Sequence, residues 1–135
     1  MKILAALAAI MVGSASSATA QDCLGYEPSE VTLVGTLIAR TYPGPPNYES
    51  VATGDSSEQA YILVLEAPVC VAPDPTSDLN SKGASGALEI QVASLHLRFS
   101  TMVGQRIAVS GSLFAAHTGH HRTPVLMWAK SARAA

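Results

Sequence analysis

The chain has 135 residues, of which 48% are hydrophobic and only 13% charged, and its formal net charge is −2. This is the length of one small domain. Because Lys and Arg are nowhere clustered, the sequence argues against a surface for nucleic-acid phosphates or for acidic membranes. Beyond residue 22 no apolar run is long enough to cross a bilayer, so we expect no membrane anchor.

The first 20 residues have the features of an export signal. Lys2 provides a positive start, residues 3–12 form a short apolar run, and Ala18-Thr19-Ala20 is a cleavage site of small residues. We predict a signal peptide at residues 1–20 and a single exported domain at residues 21–135. Cys23 and Cys70 are the only cysteines, and we expect them to form a disulfide in an oxidising compartment.

Alternating apolar residues predict five β-strands. After the first strand, prolines within residues 42–58 interrupt the sheet, because proline cannot donate a hydrogen bond to a strand ladder. We call this stretch the Pro-rich loop. Polar residues at 72–84 predict a surface connection, after which Leu88, Ile90 and Val92 are expected to face the core. The predicted strands are residues 31–40, 59–71, 87–93, 105–114 and 124–130, with fraying after residue 130.

The order of these elements indicates an OB-like fold. A short helix is predicted at residues 95–102, with Ser94 as its N-cap and Gly104 at its end. Gly35 and Gly111 each interrupt an apolar alternation, and such glycines allow the coiling by which a small sheet closes. We therefore predict an all-β, five-stranded OB-like Greek-key barrel with one short helix between strands three and four. A generic small β-sandwich is the alternative.

Two motifs resemble a family of exported bacterial domains. They are Pro43-Gly-Pro-Pro-Asn-Tyr-Glu-Ser50 in the Pro-rich loop and Leu113-Phe-Ala-Ala-His-Thr-Gly-His-His121 near the C-terminus. The family is described only as a domain of unknown function, and the resemblance extends over about residues 23–130. It implies an OB-like domain in the periplasm or outside a bacterium. It implies no activity, ligand or catalytic residue.

The sharpest chemical signal is a group of three histidines at residues 116–123, which we call the His loop. In an OB barrel, the loops after strands one and four flank the ligand-binding face. Here these are the Pro-rich loop and the His loop, so we expect the two to meet at one edge. There a monomeric protein would bind a glycan, a peptide or a loop of another exported protein. The residues expected at this edge are Tyr42, Asn47, Tyr48, His117, Thr118, His120 and His121.

Three alternatives remain open for the histidines. His117, His120 and His121 would suit zinc or copper, with a further ligand from Glu49, Asp55 or His96, and no other cofactor is expected. The histidines could instead form hydrogen bonds that lock the two loops together. A hydrolytic enzyme is the last alternative, but a nucleophile-elbow motif is missing and both cysteines are assigned to the disulfide.

Isolated side chains are interpreted as structural. Arg40, Arg98 and Arg106 have no charged neighbours in sequence, so we expect them to be solvated. Trp128 lies on the last predicted strand and is expected to pack in the core or at its rim.

Overall fold

A computed structural model describes Gly13 and residues 22–135 of the chain. The predicted signal peptide and its cleavage site lie outside the described residues, except for Gly13. No described helix is long and apolar enough to cross a membrane. Five strands and two short 3-10 turns follow one another: β1 Glu30–Pro43, a turn at Val51–Thr53, β2 Ser57–Val71, β3 Ala84–Ala93, a turn at Phe99–Thr101, β4 Arg106–Ala115 and β5 Val125–Ala134.

The strands form a closed barrel in the order β1-β2-β3-β5-β4, with β4 returning to β1. Neighbouring strands are antiparallel except β3 and β5, which are parallel over Gln91–Ala93. This arrangement confirms the predicted all-β, OB-like Greek-key barrel. Alternate residues of each strand fill the interior, as period-two patterning requires. The fully buried core includes Leu37, Leu63, Ile90, Val109, Leu113 and Met127.

Two mid-strand glycines allow the sheet to close. A Cβ atom on Gly35 would lie 2.3 Å from the carbonyl oxygen of Val64 on β2. A Cβ atom on Gly111 would lie 2.1 Å from the carbonyl oxygen of Trp128 on β5, where the register of β4 shifts. Both glycines lie in the β1–β4 pair, but each makes room for a different neighbouring strand. Glycine is therefore required here for close backbone approach.

The predicted helix at residues 95–102 is wrong. The hydroxyl of Ser94 accepts hydrogen bonds from the N–H groups of His96 and Leu97, but only a 3-10 turn at Phe99–Thr101 follows. Phe99 is the one buried residue of that turn, and Leu95 is exposed. Leu97 and Met102 also pack, partly buried, against the core, so the segment buries apolar side chains without bearing the cost of nucleating a longer helix.

Several predicted strand boundaries also change. β1 continues to Pro43 and β2 begins at Ser57, because residues 41–43 pair with residues 57–59. β5 continues to Ala134 along β4 instead of fraying after residue 130. In β3, Ile90 and Val92 face the core as predicted, whereas Leu88 is exposed. β3 pairs with β5 only from Gln91 onwards, which leaves the side of Leu88 uncovered by that strand.

The expected disulfide between Cys23 and Cys70 is present. Beside it, the N–H of Leu24 donates to Cys70 O and the N–H of Ala72 donates to Leu24 O, at 2.8 Å each. The segment before β1 is thereby fastened to the end of β2. A disulfide is compatible with an exported protein.

Candidate binding edge between the Pro-rich loop and the His loop

The outer face of the barrel carries a row of side chains on which the His loop rests. Strand register places Ile38, Ile62, Gln91, Leu126 and Phe114 side by side across all five strands. Ile62 and Leu126 are fully buried although they face away from the barrel core. The amide side chain of Gln91 accepts from Arg122 N at 2.5 Å and donates to His120 O at 3.1 Å. The His loop therefore folds back over this outer face.

The Pro-rich loop is organised around one buried carboxylate. Asp55 accepts hydrogen bonds from the backbone N–H groups of Asn47, Glu49 and Ser50 at 2.8–2.9 Å. These three N–H groups hold the pKa of Asp55 below its usual range, because they stabilise the ionised form. Tyr48 has a positive φ of 57°, which is rare for a large side chain. Its conformation is fixed because the backbone N–H groups of the residues before and after it, Asn47 and Glu49, both donate to the carboxylate of Asp55.

The His loop is organised by one of its own histidines. The Nδ1 atom of His121 accepts hydrogen bonds from the backbone N–H groups of His117 and Thr118, at 3.0 and 3.2 Å. A nitrogen that accepts must be unprotonated, so the neutral ring carries its proton on Nε2. Burial, followed by the nearby His117 and His120, lowers the pKa of His121 from 6.5. His121 is therefore a structural acceptor in its neutral form.

Arg122 joins the two loops. Its guanidinium carbon lies 5.1 Å from the ring centroid of Tyr42 and 5.5 Å from that of Tyr48, and it donates to Glu58 at 2.7 Å. Only 8% of its side chain is exposed. A guanidinium between two aromatic rings and a carboxylate is stabilised by cation–π attraction and by a charge-assisted hydrogen bond. We call Tyr42, Tyr48, Glu58, His120 and Arg122 the loop junction.

His120 closes the loop junction from the other side. Its Nδ1 lies 2.8 and 3.0 Å from the two carboxylate oxygens of Glu58, and its Nε2 lies 3.3 Å from the hydroxyl of Tyr48. The carboxylate can only accept, so Nδ1 carries a proton, and in the neutral ring Nε2 accepts from the hydroxyl of Tyr48. The hydrogen bond from His120, more than that from Arg122, lowers the pKa of Glu58. Gly119 allows this approach, because a Cβ atom there would lie 2.8 Å from the ring of Tyr48.

The seven residues predicted for the binding edge fall into three groups. Tyr42, Tyr48 and His120 belong to the loop junction. Asn47 and Thr118 are exposed on the two loops, with Pro45 and Pro46 also exposed next to Asn47. His117 and His121 lie on the far side of the His loop and pack edge-on against Phe114, at 5.9 and 5.4 Å between ring centroids. The structure therefore brings the two loops together but divides the three histidines.

The division of the histidines bears on the metal alternative. Both ring nitrogens of His120 make hydrogen bonds, and the Nδ1 atoms of His117 and His121 also do. Within the His loop, this leaves the Nε2 atoms of His117 and His121 for a metal ion. Among residues 22–135, no three His, Cys, Asp or Glu side chains are grouped so that they could hold a metal. The geometry accordingly favours the hydrogen-bonded lock between the loops.

The residues that make the lock could not be predicted from the sequence. Arg122, Glu58 and Gln91 belong to three different segments, and no local motif marks them. One signal was available: if β1 and β2 form a hairpin around the Pro-rich loop, Tyr42 and Glu58 are close to its ends, and they are indeed paired. Arg40, interpreted as an isolated charge, forms a bidentate ion pair with Glu89 at 2.8–3.0 Å while 40% of its side chain stays exposed.

Comparison with known proteins supports part of the family resemblance. A family of domains of unknown function, DUF4431, matches residues 89–131, which run from β3 to β5 and include the His loop. The Pro-rich loop precedes the matched residues, so its resemblance to that family stays a prediction. No curated protein and no solved structure shows significant similarity to the chain.

Proposed function

We propose that this protein is an exported binding domain that recognises an organic ligand at the exposed edge of its two joined loops. The observation that carries the proposal is the loop junction. It holds residues from β1, β2 and the two loops in one arrangement through Arg122 and His120. A surface that is already ordered loses less conformational entropy on binding.

The chemistry of the exposed edge suits a polar ligand with flat faces. Pro45, Pro46 and Asn47 lie on one side, and Thr118 and Gly119 lie on the other. The prolines are rigid, the amide and hydroxyl groups can exchange hydrogen bonds, and the half-buried ring of Tyr48 lies between them. Glycans and extended peptides of the cell envelope present matching hydrogen-bonding groups, and we place the ligand in these two classes.

The proposal is tested with arrays of envelope glycans and of synthetic peptides probed with the labelled domain. Asn47→Arg adds bulk at the edge without touching the loop junction, and Gly119→Val pushes the His loop away from Tyr48. We expect both substitutions to abolish binding of a true ligand. The control variant Arg133→Met, at the opposite end of β5, should bind it as the unchanged protein does. A ligand that binds all three variants equally would place recognition elsewhere, and the proposal would fail.

A further inference from the structure

A second cluster of aromatic side chains lies outside the loop junction, on the outer face of β4 and β5. Trp128 is 40% exposed although it lies mid-strand between the buried residues Met127 and Ala129. It lines a cleft of about 270 Å³ together with Glu27, Phe114 and His117, and we call these four residues the aromatic cleft. An exposed tryptophan on a strand whose neighbours are buried leaves a large flat apolar surface free for a ligand.

The walls of the aromatic cleft are held in place. His117 Nδ1 donates to Ala115 O at 3.0 Å, since the carbonyl can only accept. Its ring packs edge-on against that of His121 at 4.6 Å, and His121 in turn contacts Phe114. The backbone of Trp128 is held by its strand, which pairs Trp128 with Ser112. A ligand would therefore meet rings of His117 and Phe114 that are already packed together.

The cleft is also lined by an acidic residue, Glu27. The backbone N–H of Glu27 donates to Leu113 O at 2.8 Å, which holds this residue beside β4. Within residues 22–135, the carboxylate of Glu27 makes neither an ion pair nor a side-chain hydrogen bond. No Lys or Arg lines the cleft. Lys130, two residues after Trp128 on the same strand, is paired with Glu30.

We propose that the aromatic cleft binds a small organic cation of the quaternary-ammonium class. Aromatic faces attract such cations through the ring quadrupole, and quaternary ammonium groups are weakly enough hydrated to leave water for a ring surface. The carboxylate of Glu27 supplies the complementary charge and would repel an anion. The cleft is just below the volume range of pockets for drug-sized ligands, which fits a compact head group. The site shares only His117 with the predicted binding edge.

The test follows the fluorescence of Trp128, which is the only tryptophan of the chain. Choline chloride is titrated against the folded protein at constant ionic strength, in parallel with its neutral isostere, in which a tert-butyl group replaces trimethylammonium. We expect the fluorescence to change in a saturable way with choline. The isostere should bind at least about fivefold more weakly than choline, since cation–π attraction contributes about that factor.

Two variants separate the role of Glu27 from a general effect of charge. Glu27→Gln should weaken choline binding about fivefold, because the attraction between two opposite charges in contact in water is of about that size, while Glu49→Gln, on the exposed Pro-rich loop, should leave it unchanged. Equal affinity for choline and its isostere would reduce the cleft to an apolar pocket and overturn the proposal. So would saturation by a neutral hexose instead of choline, or the lack of any saturable response at millimolar choline. None of these outcomes depends on the results with Asn47→Arg or Gly119→Val. The proposal for the aromatic cleft and the proposal for the exposed edge of the two loops can therefore be refuted separately.

Discussion

Replacement of Arg122 by methionine is the most direct test of the loop junction. Methionine keeps much of the length and apolar surface of the side chain but removes the charge. The guanidinium lies 5.1 and 5.5 Å from two ring centroids and is 8% exposed. A cation–π contact contributes about 0.5–1 kcal/mol when exposed and about 2 kcal/mol when desolvated, so two contacts in this largely covered site amount to about 2 kcal/mol. For a domain of this size, that loss corresponds to a melting temperature lower by about 8 °C.

The free energy of unfolding is measured by urea titration, with Arg133→Met as the matched control. Arg133 is exposed near the end of β5, and a surface substitution of this kind changes stability by about 0.5 kcal/mol at most. A double-mutant cycle with Tyr48→Leu should give a coupling energy of about 1 kcal/mol, because the two side chains are in contact. If Arg122→Met is no more destabilising than the control, or if the cycle gives no coupling, Arg122 does not hold the loops together.

Three further predictions concern the histidines and the disulfide. Because the pKa of His121 is lower in the folded chain than its ordinary 6.5, the unfolded chain binds more protons, so His-loop stability should fall as pH drops below 6.5. Hydrogen exchange of the His117 amide measures this, and a protection factor that does not change between pH 7.5 and pH 5.5 would contradict it. Replacing Cys23 and Cys70 by Ser should cost about 4 kcal/mol of unfolding free energy, from the 47-residue separation that the disulfide closes, and calorimetry showing a much smaller loss would refute that estimate. Zinc titration should show no binding tighter than micromolar, and tight binding abolished by His117→Ala would restore the metal site.

The barrel could be predicted because the residue pattern that specifies each strand lies within one short segment of the sequence. Period-two alternation identified all five strands, and Gly35 and Gly111 indicated where backbones approach closely. The prediction of a helix at residues 95–102 was wrong, although it used the same local patterning that identified the strands. Its pattern of Leu95, Leu97 and Phe99 fits two periods, and only tertiary burial decides between them. The fold buries Phe99, buries Leu97 only in part and leaves Leu95 exposed.

The place of the loop junction in the fold could be predicted from the sequence, but the residues that form it could not. The OB-like order of strands already placed the Pro-rich loop beside the His loop. The residues that join them are charged, and the structural role of a charged side chain depends on a partner that can lie far away in sequence. Arg122 and Glu58 are 64 residues apart, and Arg106 and Glu66 are 40 apart. Because no local rule pairs such residues, the ion pairs of Arg40 and Arg106 could not be predicted, although these side chains remain 40% and 52% exposed.

The position of Arg122 also decides how a ligand can reach the barrel. In OB-folds the ligand lies on the outer face of strands two and three, between the two loops. Here Arg122 extends over that face to Glu58 on β2 and lies against Tyr42 on β1. A ligand that entered the face would have to displace it, at a cost of about 2 kcal/mol, or about 30-fold in affinity. A ligand at the exposed edge avoids this cost. Arg122→Met therefore distinguishes the two routes, because it should strengthen a ligand that binds the face and weaken one that depends on the joined loops.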